Sequence, residues 1–284
     1  MPQLQLFTDT LDQSQITAKI IEDSISLADV RLTTFQLSYP RFIHAEFMTH
    51  RVFSRNASSS RAIPVAKMIE QVRTNPARPI HWGKNQPGMQ AKEELSKEDR
   101  EAAQWQWERA AQSAAFFAEQ MEATGTHKQV VNRILEPFQI MHVIVTATEW
   151  DNFFALRAHP DAQPEINALA VEMARLMHVY TPKLCFAEEW HLPYVTPEER
   201  DLYNVEILKK LSAARCARVS YLTHDGKTPD VQKDVDLYDR LVGSKPIHAS
   251  PVEHQATPMP NADTYSGNFK GWFQHRKEVE SRML

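Results

Sequence analysis

The chain is 284 residues long, with 32 Lys and Arg against 36 Asp and Glu and a formal net charge of −4. That balance argues against a general nucleic-acid binder, which carries a basic excess, while 42% hydrophobic and 24% charged residues describe a globular protein able to bury a core without disulfides. The two cysteines, Cys185 and Cys216, stand in no metal-like spacing, and the 7 glycines leave little room for a Gly-rich phosphate loop.

The opening MPQLQLFTDTLDQ has no basic start and no long apolar run, so no signal peptide is expected. The apolar stretch around Val143, Ile144 and Val145 is far too short to span a bilayer. The expectation is a cytoplasmic protein with no membrane partner. In chain order, residues 17–38 read as two strands, rich in β-branched residues. Pro40 is placed to open a helix, with Phe42, Ala45, Phe47 and Met48 on one face. Residues 54–60 (SRNASSS) are expected to be a loop, since Ser and Asn compete for backbone hydrogen bonds.

A short helix is expected at 65–74 and an irregular insertion at 75–92, where Pro76, Pro79, Pro87 and Gly88 fall. Residues 93–123 predict a long amphipathic helix, N-capped by Ser96 with Asp99 three residues on. Further helices are expected at 127–135, 148–156, 164–180, 204–219 and 229–242, a strand at 138–146, and a short helix near 269–276. Strands and helices mix without a βαβ rhythm, which favours an α+β fold.

Three polar clusters stand out. Residues 49–61 gather Arg51, Arg55 and Arg61 with a run of hydroxyl and amide side chains. Arginine forks and serines suit phosphate oxygens, but the same composition fits a solvated loop. In 149–159, Asn152 and Arg157 interrupt an apolar face. In 247–254, His248, Glu253 and His254 match no zinc spacing, so no metal site is read there.

Taken together, the clusters resemble the flavin-dependent thymidylate synthases. That family carries an Arg-His-Arg motif followed by a Ser-x-Asn-x-x-Ser-x-Arg loop, and His50-Arg51-Val52-Phe53-Ser54-Arg55-Asn56-Ala57-Ser58-Ser59-Ser60-Arg61 is similar to it. Asn152-Phe153-Phe154-Ala155-Leu156-Arg157 resembles its Asn-Phe-x-x-Leu-Arg segment. Arg133, in Asn132-Arg133-Ile134-Leu135-Glu136-Pro137, resembles its substrate-binding arginine. Ala217-Arg218-Val219-Ser220-Tyr221 and His248-Ala249-Ser250-Pro251-Val252-Glu253-His254 resemble two segments that precede the Arg-His-Arg motif in the usual member.

Here those two segments follow it. The order implies a circular permutation within a single domain spanning 1–284, with an insertion near 75–125 and the family's N-terminal segment moved to 213–254. Surface termini make such a change tolerable. Residues 269–276 resemble a second, truncated copy of the helix leading into the motif. There are departures: Thr49 stands for the first Arg, Glu46 where Gln is frequent, Ala57 where an acid is common and Ala62 for an aromatic. Thr146 and Thr148 replace polar or basic flavin-side residues.

The resemblance implies an α+β fold with a mainly antiparallel sheet and a homo-oligomer, a tetramer, whose site is shared between subunits. It implies one-carbon transfer from methylenetetrahydrofolate to C5 of deoxyuridylate, with FAD as cofactor and NADPH as reductant. Glu46, Ser59, Arg61, Arg133 and Arg157 would bind the nucleotide, with Arg157 and Ser59 at the reaction. His50, Arg51, Asn56, Asn152, Ser220, His248, Ser250 and Glu253 would line the flavin and folate side. Two alternatives stay open: a relative with a hydroxymethyl product or another pyrimidine nucleotide, and a non-catalytic nucleotide-binding homologue.

Overall fold

Strand β1 (Thr17–Ser26) turns through Asp29, at φ 59°, into β2 (Arg31–Pro40), and the two pair antiparallel. The structure is a computed structural model that describes residues 15–219 and 230–282. After a 3-10 turn at Arg41–Ile43 come α1 (His44–Phe47), β3 (Ser54–Ala57), α2 (Val65–Thr74), α3 (Lys97–Ala123) and α4 (Lys128–Ile134). A second 3-10 turn, Glu136–Phe138, leads into β4 (Ile140–Ala147), α5 (Asp151–Arg157), α6 (Pro164–Val179) and β5 (Lys183–Cys185). The remainder holds α7 (Pro197–Leu202), α8 (Val205–Arg218), α9 (Val231–Val242) and a 3-10 turn at Ser250–Glu253. It ends with β6 (Ala256–Pro258), β7 (Tyr265–Ser266), β8 (Phe269–Lys270), β9 (Trp272–Gln274) and α10 (His275–Ser281).

The main sheet has the order β3-β4-β2-β1-β5, antiparallel throughout except for the parallel β1–β5 pair. This is the expected α+β fold with a mainly antiparallel sheet. Side chains alternate across it as the pleat requires. Phe35, Leu37 and Tyr39 of β2 and Met141, Val143 and Val145 of β4 face one side. They pack on Ile166, Leu169, Met173 and Leu176 of α6 and on an aromatic cluster of Phe47, Phe53, Trp150 and Phe153. Burying each such side chain contributes about 1.5–3 kcal/mol.

The opposite face carries a row of hydroxyls. Register aligns Ser54 with Thr146 and Thr146 with Thr34. Each is gripped from later in the chain. Gln274 Nε2 donates to Ser54 Oγ at 3.1 Å, His254 Nδ1 meets Thr146 Oγ1 at 2.8 Å, and His191 Nε2 meets Thr34 Oγ1 at 2.8 Å. Thr34 and Thr146 also bond each other at 2.7 Å. Apolar contacts flank this row: Leu32 with Ala256, Phe269 and Trp272, and Ile144 with Cys216 and Val219. Cys216, Val219 and His254 of the 213–254 segment thus meet this face, at Ile144, Thr146 and Asn56, while α9 packs on α8.

Local chemistry explains most element ends. Ser96 Oγ accepts from the Asp99 N–H at 3.1 Å, and the expected helix starts at Lys97 rather than at 93. Asn204 and Asp230 cap α8 and α9 in the same way. Two expectations are corrected. Residues 54–57 form β3, because pairing with β4 satisfies backbone groups that a Ser-rich loop would leave to water. Residues 269–274 are two short strands, with helix only from His275, because Gly271 at φ 70° breaks the helical path. β5 and α7 were not expected. β5 has three residues, too few for a periodic signal; α7 carries a Thr196–Glu199 capping box but buries nothing.

Candidate active site

Helix α1, the turn after it and the end of α5 bring four motif side chains together. Arg157 sits in the last turn of α5 and donates from Nη1 to Glu46 Oε2 at 2.8 Å, from Nε to His50 Nε2 at 3.1 Å and from Nη2 to Thr49 Oγ1 at 3.4 Å. Asn167 Nδ2 ties the Arg157 carbonyl to α6 at 3.1 Å. The His50 ring stands edge-on to Phe153, centroids 4.9 Å apart, so the aromatic cluster fixes its plane. Burial first, then the charges of Arg157 and Arg55, push the His50 pKa below its ordinary value. A neutral imidazole that accepts from a guanidinium follows. Thr49, read as a departure from the motif, is therefore part of the arrangement.

Ser59, Arg61 and Arg133 form a second group. Asn132 of α4 holds the 58–63 loop by donating to the carbonyls of Ser60 at 2.7 Å and Ile63 at 3.0 Å. Ser59 Oγ accepts from the Arg61 N–H at 3.3 Å. Arg133 is drawn to this loop through Glu136, which also meets Ser60 Oγ and Arg41. The Arg61 guanidinium is exposed and has no side-chain partner among the described residues. Glu136 and Asn132 were missed as positioning residues. The polar Asn132 directly before Arg133 was the available signal. No hydrogen bond or ion pair among the described residues joins this group to that of Arg157.

The expected flavin side is dispersed. Arg51 and Asn152 are exposed near the first group, with no side-chain partner among the described residues. Asn56 points inward and donates to the Cys216 carbonyl at 3.2 Å, so its amide is committed to holding α8. Glu253 is bonded by Arg276, and burial pushes its carboxyl pKa up against the opposing charges of Arg276 and Arg55. Arg55 in turn donates to the carbonyls of Met48 and His50, which puts Glu253 on the side of the His50 turn. His248 and Ser250 are exposed, His248 bonding Leu241 through its backbone N–H. Ser220 lies outside the described residues. Thr146 belongs to the buried hydroxyl row, and Thr148 Oγ1 accepts from the Lys270 N–H at 3.0 Å.

Neither thiol is poised for attack. Burial pushes the Cys185 pKa up to about 12 and that of Cys216 further, and the thiolate is the nucleophile. Two grooves of about 300 and 360 Å³ lie elsewhere, one between α2 and α3, the other around Trp190, Arg200 and Tyr203. Of the motif residues, Arg51, Arg61, Arg133 and Asn152 are exposed, while His50 and Asn56 are buried. Exposed guanidiniums at Arg51 and Arg61 offer the donor chemistry that phosphates of a nucleotide or dinucleotide cofactor require, so the residues present fit such a ligand.

A family model described as "Thymidylate synthase complementing protein" matches residues 14–183. No curated protein matches the sequence. Among solved structures, the UMP/dUMP methylase PolB from Streptomyces cacaoi bound with 5-Br dUMP matches at 17% identity and TM-score 0.48, covering 57% of this chain and 89% of that chain. The same protein bound with 5-Br UMP matches at 17% identity and TM-score 0.47, covering 57% and 88%. At these values the likeness carries no argument about substrate.

Proposed function

The chain belongs to the thymidylate synthase complementing protein family, the flavin-dependent thymidylate synthases, and on that premise we propose that it methylates C5 of deoxyuridylate with methylenetetrahydrofolate as carbon donor and NADPH as reductant. The observation that supports this best is the meeting of Arg157 with His50, two family-motif residues 107 positions apart. FAD, when bound, supplies the redox chemistry of the carbon transfer.

The chain's own residues bind and orient. Arg61, Ser59 and Arg133 take the dianionic phosphate, which matches an exposed guanidinium, without a side-chain partner among the described residues, beside a hydroxyl. Arg157 faces the pyrimidine, where a held cation stabilises negative charge developing on a ring carbonyl. Arg51, Asn152, His248 and Ser250 are the exposed groups left for the flavin and folate side. The family resemblance implies a homotetramer with a shared site, and two groups that no hydrogen bond or ion pair joins among the described residues are compatible with a second copy completing it. Exposed apolar residues flank both: Met48, Val52 and Leu156 beside the first, Val130 and Ile134 beside the second.

Reconstitution tests this reading. A yellow protein that bleaches with NADPH and gives thymidylate by product mass supports it. A hydroxymethyl product selects the neighbouring chemistry. A colourless protein that cannot be loaded with FAD and forms no product overturns it.

A further inference from the structure

The pairing of Glu46 with Arg157 bears on which ring the site accepts. A guanidinium carries five N–H donors. Arg157 commits one on each nitrogen: Nε to His50, Nη1 to Glu46 and Nη2 to Thr49. One donor on Nη1 and one on Nη2 remain. Glu46 uses Oε2, while its Oε1 takes no hydrogen bond among the described residues. Its side chain is 34% exposed and that of Arg157 20%. Together they offer a ligand an anionic acceptor beside a cationic donor.

We propose that Glu46 is a specificity-determining residue that admits a 4-aminopyrimidine deoxynucleotide, a cytosine nucleotide, alongside the uracil one; this rests on the reading that Arg157 meets the pyrimidine. A carboxylate accepts and cannot donate. Its ring partner must therefore present a donor, with an acceptor next to it for Arg157. Cytosine has this order, the 4-amino donor beside N3. Uracil has it too, with N3–H beside a carbonyl. A glutamine here would reverse the pattern. Its carbonyl oxygen would be taken by Arg157 and its NH2 would turn outward; the O4 carbonyl of uracil, with two lone pairs, can accept from that NH2 and from Arg157 together, whereas the 4-amino group of cytosine is a donor and can accept from neither.

The test is equilibrium binding of deoxycytidylate and deoxyuridylate to the FAD-loaded protein and to its Glu46→Gln and Glu46→Asp variants. The unmodified protein should bind the two within about tenfold of each other. Glu46→Gln should weaken deoxycytidylate by about tenfold or more relative to deoxyuridylate, since a site left with mismatched polar groups discriminates strongly. Glu46→Asp keeps the acceptor and should keep the ratio. Deoxyuridylate binding with deoxycytidylate more than about tenfold weaker overturns the proposal and leaves the proposed function standing. An unchanged ratio in Glu46→Gln also overturns it, and if that variant does not fold, the unmodified protein's ratio decides. Failure of both nucleotides to bind overturns the function and this inference together.

Discussion

Arg157 donates its Nε–H to His50 Nε2 at 3.1 Å. The bond requires the Nδ1–H tautomer of a neutral ring, because a protonated imidazole would oppose the guanidinium with a donor and a like charge. The His50 pKa is held below its ordinary 6.5 by burial and two arginines. Activity should therefore persist at pH 6.5 and fall only below it, as His50 protonates and releases Arg157. His50→Ala should lower kcat by about tenfold, or ~1.4 kcal/mol, and shift the acid limb of the pH–rate profile. An acid limb unmoved by the substitution would detach His50 from the reaction.

Arg157→Ala and Arg61→Ala should fail differently. Arg157 is held by three partners in the chain, and its charge matters most when the ring carries negative charge. Its loss should reduce kcat by a few kcal/mol, about 2.7–4. Arg61 has no side-chain partner among the described residues, so Arg61→Ala should leave stability within about 0.5 kcal/mol and raise the nucleotide Kd. Equal losses in Kd with kcat untouched would contradict both roles.

Ser59 should bind and not attack. Its hydroxyl accepts from the Arg61 N–H at 3.3 Å, and no base bonds it among the described residues. A free serine is a weak nucleophile without one. Ser59→Ala should retain measurable turnover with nucleotide binding weakened by about 1 kcal/mol. Abolished turnover with FAD and nucleotide still bound would assign the hydroxyl to bond making.

Asn56 should act on stability more than on the flavin. Its amide donates to the Cys216 carbonyl in the last turn of α8, where helix carbonyls commonly lack an intrahelical donor. Asn56→Ala should cost about 1–3 kcal/mol, read as a lower Tm. Loss of FAD from a variant of unchanged Tm would restore the cofactor role that the motif implied.

Acid should unfold the protein through its buried histidines. Burial lowers the pKa of His254 to about 3 and that of His191 well below its ordinary value. A lowered histidine pKa gives stability that is full above 6.5 and lost as pH falls toward the folded value. His254 alone accounts for on the order of 5 kcal/mol across that window. Glu22, raised to about 7 by burial, works in the opposite sense, giving stability below 4.5 that is lost as pH rises toward 7. The steep loss should therefore begin below pH 4.5, measured as the denaturant midpoint against pH. His254→Leu should flatten it; an unchanged slope would place the acid sensitivity elsewhere.

The helices capped by Ser96, Asn204 and Asp230 were legible in the sequence because a cap and an apolar period are local signals. The α+β character and the motif resemblance were legible too, since both rest on residue identity and spacing. Tertiary structure decided the rest. Residues 54–57 became a strand because β4 offered partners, and Gln274 became a buried amide on Ser54 because Gly271 turned its segment back to the sheet. Sequence could place Glu46, His50 and Arg157 in one family pattern. That Arg157 spends its donors on Glu46 and His50, while Ser59, Arg61 and Arg133 stand as a separate group, is a matter of distance between residues about a hundred positions apart. No local propensity encodes such a distance: packing of the aromatic cluster behind α1 and α5 sets it.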